Sequence, residues 1–163
     1  MDYSERRTKA TALSTETALQ KIKNWCAYQE RSQQETRRKL FEYALPSPQI
    51  EQIIATLIEE NFLNEERFAI MFASGKFRIK QWGRIKIRLE LQKHRISEYC
   101  INKALKNIQQ EDYEVVLQKV IDKKRSGIKG EDRKKKYHTV LNYALSRGFE
   151  SDLIIEHLKE TQI

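Results

Sequence analysis

From Leu19 onward the apolar residues recur at three- and four-residue spacing. Leu19, Ile22, Trp25 and Cys26 form one run, Thr36, Leu40 and Phe41 a second, and Ile50, Ile53, Ile54, Leu57 and Ile58 a third. That period predicts three amphipathic helices before residue 61. Pro46 is expected to stop the second helix, with Ser47 capping the third and Pro48 at its first helical position. Asn64 then caps a fourth helix, with Glu65 and Glu66 at the positive end of its dipole and Phe68, Ala69, Met71, Phe72 and Ala73 on its apolar side. Ahead of these runs the chain is polar and mixed in charge, with Leu13 its only large aliphatic residue, so residues 1–14 read as a flexible arm.

Between Lys76 and Leu91 the pattern changes. Phe77, Ile79, Ile85, Ile87, Leu89 and Leu91 alternate with Lys76, Arg78, Lys80, Arg84, Lys86 and Arg88, which taken alone is a strand signal. Gly83 interrupts the run, and a lone hairpin among helices would be marginally stable. A buried helix with two apolar flanks is the better expectation, with Phe68, Phe72, Leu89 and Leu91 in the core.

An internal repeat supports the helical choice. A shift of 51 residues places Ser32 on Gly83, Leu40 on Leu91, Leu45 on Ile96, Ile50 on Ile101 and Ile54 on Leu105. A second shift of 53 reaches Ala144, Phe149, Ile154 and Leu158. Each copy holds a helix, a short break ending in an apolar residue and a Ser suited to capping, and a second amphipathic helix. The expected organisation is all-α, with three tandem three-helix repeats over residues 15–62, 63–110 and 111–163. Glycine clusters at Gly127 and Gly130, where a mobile loop is expected in the third copy.

Size and composition fit this plan. A chain of 163 residues is one domain or a short repeat array, and 5 Gly and 2 Pro argue against turn-rich β folds. No stretch reaches the ~18 apolar residues of a membrane span, and the N-terminus lacks an apolar leader, so a cytoplasmic protein without membrane contact is expected. Cys26 and Cys100 stand apart from each other and from any His at ligand spacing, so they are expected to be buried thiols in a reducing compartment.

The net charge of +8 is uneven: residues 65–110 carry +7 of it, the rest of the chain almost none. Lys76, Lys80, Arg84 and Arg88 are four apart and would stack on one face of an unbroken helix, flanked by Arg78 and Lys86, with Trp82 in the middle. Together with Lys93 and Arg95 they make a candidate surface for an acidic partner or polyphosphate. A second basic run, Arg133 to Lys136, has acids nearby and reads as a solvated face.

Catalytic groupings are missing from the sequence. His94, His138 and His157 have no ligand spacing, and the five glycines match neither the Walker nor the dinucleotide pattern. The pairs Glu59-Glu60 and Glu65-Glu66 are explained by helix termini. A binding protein with no cofactor and no metal is expected.

The segment Glu60-Asn61-Phe62-Leu63-Asn64-Glu65-Glu66-Arg67-Phe68-Ala69, with Gly83 fourteen residues after Ala69 and then Glu90-Leu91, resembles the signature of the RecX family, bacterial regulators of the RecA recombinase. The resemblance runs from about Ala18 to Leu158 and includes Ser32-Gln33-Gln34-Glu35 before Leu40, and Arg147-Gly148-Phe149 with Ile154. Two positions depart from the family: Asn61 and Arg95 each stand where it usually has Gly. Asn tolerates a left-handed helix end, whereas Arg95 points to a turn built differently.

The resemblance implies an elongated, curved array of three-helix repeats. Such an array lies in the groove of the RecA filament on single-stranded DNA and inhibits its ATPase, strand-exchange and coprotease activities, either there or by capping filament growth. On that reading the basic strip makes the main contact, to acidic recombinase surface or weakly to DNA, and the protein is a monomer. A stand-alone helical protein acting directly on DNA or RNA is the alternative, with a structural adaptor bearing a merely solvated basic face third. Naked nucleic acid would be bound tightly and salt-sensitively only in the first of these two.

Overall fold

The structure is a computed structural model that describes residues 12–130 and 132–161; of the expected arm over residues 1–14, residues 1–11 lie outside the described residues, while Leu13 and Ser14 are not free but packed on the core and capping α1. Among the described residues the regular structure is all α-helix: α1 (Thr15–Tyr28), α2 (Gln33–Glu42), α3 (Ser47–Glu59), α4 (Glu65–Lys80), α5 (Arg84–Lys93), α6 (Glu98–Lys106), α7 (Gln110–Ser126), α8 (Arg133–Ser146) and α9 (Ser151–Glu160). The alternating run 76–91 is therefore helix, interrupted between Lys80 and Arg84. Helix packing is mainly local: α1, α2 and α3 pack on one another, α5 on α6, and α7, α8 and α9 on one another. The chain forms two compact units, one up to Phe68 and one from Ala69 onward.

In the first unit the apolar stripes of α1 to α3 close on a core of Ala18, Ile22, Cys26, Leu40, Leu45, Ile50, Ile53, Ile54, Leu57 and Leu63. Helix starts are well specified. Ser14 accepts from the Thr17 amide at 3.2 Å, and Ser32 forms a reciprocal capping box with Glu35, at 3.1 and 2.9 Å. The start of α3 differs from expectation: Pro46 is its cap residue with no side-chain hydrogen bond, and Ser47 and Pro48 are the first two helical residues. A proline there has no N–H to leave unsatisfied, so the hydroxyl is not required. Leu13 packs on the core, and its N–H donates to the Tyr43 carbonyl at 3.3 Å. Phe41 and Ile58, counted in the apolar period, are exposed.

The motif 61–68 is a structural latch. Asn61 takes φ 64°, and the Phe62 N–H reaches back to the Leu57 carbonyl at 2.8 Å. Leu63 is buried, and Asn64 caps α4 by accepting from the Arg67 amide at 2.8 Å. The Arg67 guanidinium donates to Glu30 and to the Asn61 carbonyl, the latter at 3.0 Å, which ties the turn to the end of α1. Phe68 is buried.

In the second unit, Ile87 and Leu91 of α5, Ile101 and Leu105 of α6, Tyr113, Leu117 and Ile121 of α7, Val140 and Ala144 of α8, and Ile154 and Leu158 of α9 are all buried. Phe149 lies beneath the α8–α9 turn, its ring 5.2 Å from that of Tyr113, which in turn stacks 5.9 Å from Phe77 of α4. The start of α5 is joined to the α8–α9 turn by two backbone hydrogen bonds: Gly83 N–H donates to the Arg147 carbonyl at 2.8 Å, and Ile85 N–H to the Gly148 carbonyl at 3.0 Å. A Cβ on Gly83 would overlap the Gly148 carbonyl, and one on Gly148 would overlap Lys86. Both positions therefore exclude any larger residue.

Ala44, Arg95 and Gly148, which the 51- and 53-residue shifts superimpose, share one conformation. Their φ values are 58°, 57° and 93°, each on the residue between the two helices of a copy. Arg95 thus builds the same left-handed turn that a glycine would, rather than a different one, with the Ile96 N–H on the Leu91 carbonyl at 3.2 Å. The residues that follow, Leu45, Ile96 and Phe149, are all buried.

Candidate functional site

The candidate surface is built by the end of α4 and the whole of α5. Gln81, at φ 54°, ends α4, and the Trp82 N–H returns to the Lys76 carbonyl at 3.2 Å. This break removes the single stacked face that Lys76, Lys80, Arg84 and Arg88 would have shared on one continuous helix. The cations instead fall into two groups.

The first group is already engaged within the fold. Arg84 lays its guanidinium 3.7 Å from the centre of the Tyr113 ring and donates to Gln110 at 2.7 Å and Glu150 at 3.3 Å. Glu150 also accepts from the Tyr113 hydroxyl, which itself accepts from the Arg84 backbone N–H at 3.0 Å. Burial, and then the carboxylate beside it, push the Tyr113 phenol well above its ordinary pKa. Arg88 donates to Glu98 at 2.6 Å and Asn102 at 2.7 Å. Lys93 pairs with Glu90 at 2.7 Å, and that hydrogen bond lowers the Glu90 carboxyl below its ordinary range.

The second group faces outward. Arg78 and Lys80 are exposed and make no ion pair among the described residues. Lys76 and Lys86 hold their ammonium groups 4.9 and 4.6 Å from the centre of the half-buried Trp82 ring, so this tryptophan gathers two positive charges at the α4–α5 corner. Arg95 is exposed at its turn.

Apolar residues lie among these cations. Ile79 is 79% exposed, Leu89 53% and Ile85 47%, and Leu145 of α8 stands 40% exposed. Leu89 had been expected in the core; it faces solvent because the buried side of α5 is already filled by Ile87 and Leu91. Met71, on the apolar side of α4 by periodicity, is exposed too. Ile85, Leu89 and Leu145, with Lys86 and Lys93, border a shallow groove of about 610 Å³ between α5 and α8. The alternation of 76–91 carried the signal for this: on a helix, apolar residues at every second position cannot all share one face. The arrangement offers apolar contact ringed by positive charge.

Cys26 and Cys100 are both buried thiols. No helix among the described residues is long and apolar enough to cross a membrane.

These features define an all-helical protein of the three-helix-repeat class, with a mixed apolar and basic face on its second copy. The family model "RecX, second three-helix domain" matches residues 64–105. The regulatory protein RecX of Prosthecochloris aestuarii is 31% identical over 150 residues, covering 90% of this chain and 94% of that protein. The regulatory protein RecX of Clostridium perfringens is 32% identical, covering 75% of this chain and 58% of the relative. The crystal structure of RecX from Lactobacillus salivarius shares the fold, with a TM-score of 0.80 at 20% identity over 90% of this chain and 95% of the other. The chain belongs to the RecX family of regulatory proteins.

Proposed function

We propose that this protein regulates a RecA-type recombinase by binding its filament on single-stranded DNA, lowering ATP hydrolysis, strand exchange and coprotease activity through groove binding or capping of filament growth. The observation that carries this reading is the α4–α5 face, where exposed Ile79, Ile85 and Leu89 alternate with exposed Arg78 and Lys80 and half-buried Lys86. Protein interfaces need an apolar centre, and the surrounding cations steer an acidic partner into register. Family membership supports the regulatory class, and the relatives carry the name regulatory protein. The protein acts as a ligand of its target, in the cytoplasm, without catalysis of its own.

The test is the single-strand-dependent ATPase rate of the host recombinase while this protein is titrated in. A fall at substoichiometric amounts is expected, because one bound molecule halts a growing filament end. An unchanged rate with folded protein overturns the proposal.

A further inference from the structure

The third helical triplet is almost neutral as a whole, but its charge is segregated. Between Lys119 and Lys136 the sequence holds nine Lys and Arg against the three carboxylates Asp122, Glu131 and Asp132, a net of +6, while the remainder of residues 111–163 carries −5. The structure makes this a local surface. Lys123, Lys124 and Arg125 are in the last turn of α7, and Arg133 to Lys136 form the first turn of α8, six residues further on. Of the acids of α7 only Asp122 lies within it: Glu111, Asp112 and Glu114 begin the same helix, roughly 17 Å away along its axis at 1.5 Å per residue. That is about two Debye lengths at physiological salt. Among the described residues the one ion pair in this region is Arg125 with Asp122, at 2.6 Å.

Three further observations say that the charge is not there for stability. Four cations in the first turn of α8 oppose the helix dipole, whose positive end lies there. Residues 133–139 include no buried residue, so these two turns hold no core contact that would explain them. The region also lacks the apolar centre of a protein interface, since no exposed large hydrophobic residue lies between Val115 and Leu145. Aromatic rings are present instead: Lys124 lies 4.8 Å from the centre of the Tyr143 ring, and half-buried Tyr137 sits beside the basic turn.

We infer that the end of α7 and the start of α8 bind the phosphodiester backbone of nucleic acid, as a contact separate from the α4–α5 face. Dense, mostly unpaired lysines with neighbouring tyrosines suit phosphates and base faces, whereas the α4–α5 face, with its exposed aliphatics, suits protein. The contact needs no recombinase, so it stands or falls apart from the proposed regulation.

The experiment is fluorescence anisotropy of a labelled oligothymidylate with the full chain alone, from 50 to 200 mM salt, comparing the wild type with Arg133→Glu/Lys134→Glu/Lys135→Glu. Removing three phosphate contacts is expected to weaken binding about tenfold or more and to flatten the log–log salt slope by about 2, at about 0.7 per single-strand phosphate. The same reversal places carboxylates at the positive end of α8, so the melting temperature is expected to hold or rise. A neutral Gln triple variant is expected to fall between. Unchanged affinity and slope overturn the inference, as does a loss of binding that tracks a loss of melting temperature. Equal displacement of the oligonucleotide by polyglutamate of matched charge also overturns it, in favour of an acidic protein partner.

Discussion

Gly83 meets Gly148 backbone to backbone, so that a side chain on Gly83 would occupy the space of the Gly148 carbonyl. The amides of Gly83 and Ile85 place their hydrogen bonds on the α8–α9 turn, at 2.8 and 3.0 Å. Through this contact the helix that bears the candidate surface is anchored to the third triplet.

Gly83→Ala is therefore expected to destabilise the protein by about 2–3 kcal/mol, since backbone on both sides must shift to admit the methyl group. Gly75→Ala is the matched control. Gly75 lies within α4 with nothing within 4 Å of an added Cβ, and the substitution is expected to stabilise by about 0.5–1 kcal/mol. Urea denaturation of the two variants checks the opposite signs.

Ala44 and Arg95 hold left-handed backbone at φ 58° and 57°. That conformation costs an L-residue about 1–2 kcal/mol, of which a glycine returns part because its unfolded chain is freer. Ala44→Gly and Arg95→Gly are each expected to gain about 0.5–1 kcal/mol. Gly148→Ala, at the superimposed position, is expected to lose stability, because its Cβ would overlap Lys86. Thermal melts of the three variants distinguish a shared turn from three unrelated ones.

The Tyr113 phenol has its pKa raised in the folded state, first by burial and then by the Glu150 carboxylate. Above about pH 10 the unfolded chain releases this proton while the folded chain keeps it. The stabilisation is thus complete below pH 10 and is lost as pH rises beyond it. Tyr113→Phe is expected to cost about 1–3 kcal/mol at pH 8 by removing the hydroxyl's two hydrogen bonds, and to show a smaller loss between pH 9 and pH 11 than the wild type. Denaturation curves at the three pH values measure both effects.

Arg84 and Lys86 are two residues apart and should respond differently to charge reversal. Arg84→Glu would set a carboxylate beside Glu150 and strip the Tyr113 ring of its guanidinium, for an expected cost of about 2 kcal/mol. Arg78→Glu/Lys80→Glu/Lys86→Glu touches two exposed groups and the half-buried Lys86, and is expected to cost only about 0.5–1 kcal/mol, from the lost contact with Trp82, while weakening filament binding. Sedimentation with recombinase filaments, alongside urea denaturation, separates the fold residue from the contact residues.

Much of the fold was legible because one period governs it. Ile50, Ile53, Ile54 and Leu57 are buried as their spacing requires, and the 51- and 53-residue shifts align three left-handed turns. Asn64 and Ser97 cap as their residue types suggest, whereas Ser151 is the first helical residue of α9 and Glu150 holds the cap position without a side-chain hydrogen bond. The cap of α3 was misplaced by one residue, because a proline start needs no hydroxyl. The candidate surface was harder to read. Charge counts do not show which cations are already paired, and Arg84, Arg88 and Lys93 find their carboxylates on other turns or helices. Nor does a class-based pattern say which of Ile85, Ile87, Leu89 and Leu91 face inward; packing decided that. The Arg133–Lys136 run is directly preceded by Asp132, which caps α8, while most other carboxylates of the triplet lie at the start of α7 or around α9.

The joint at Gly83 carries a consequence for how such a protein can diversify. Its backbone contact is written in amides, carbonyls and two missing side chains, with Arg84 and Glu150 beside it, so it places no demand on the side chains that α5 turns away from the joint. Ile85, Lys86 and Leu89 can be exchanged to suit a different target while α5 keeps its seat. The mounting and the tool it presents are encoded by separate residues.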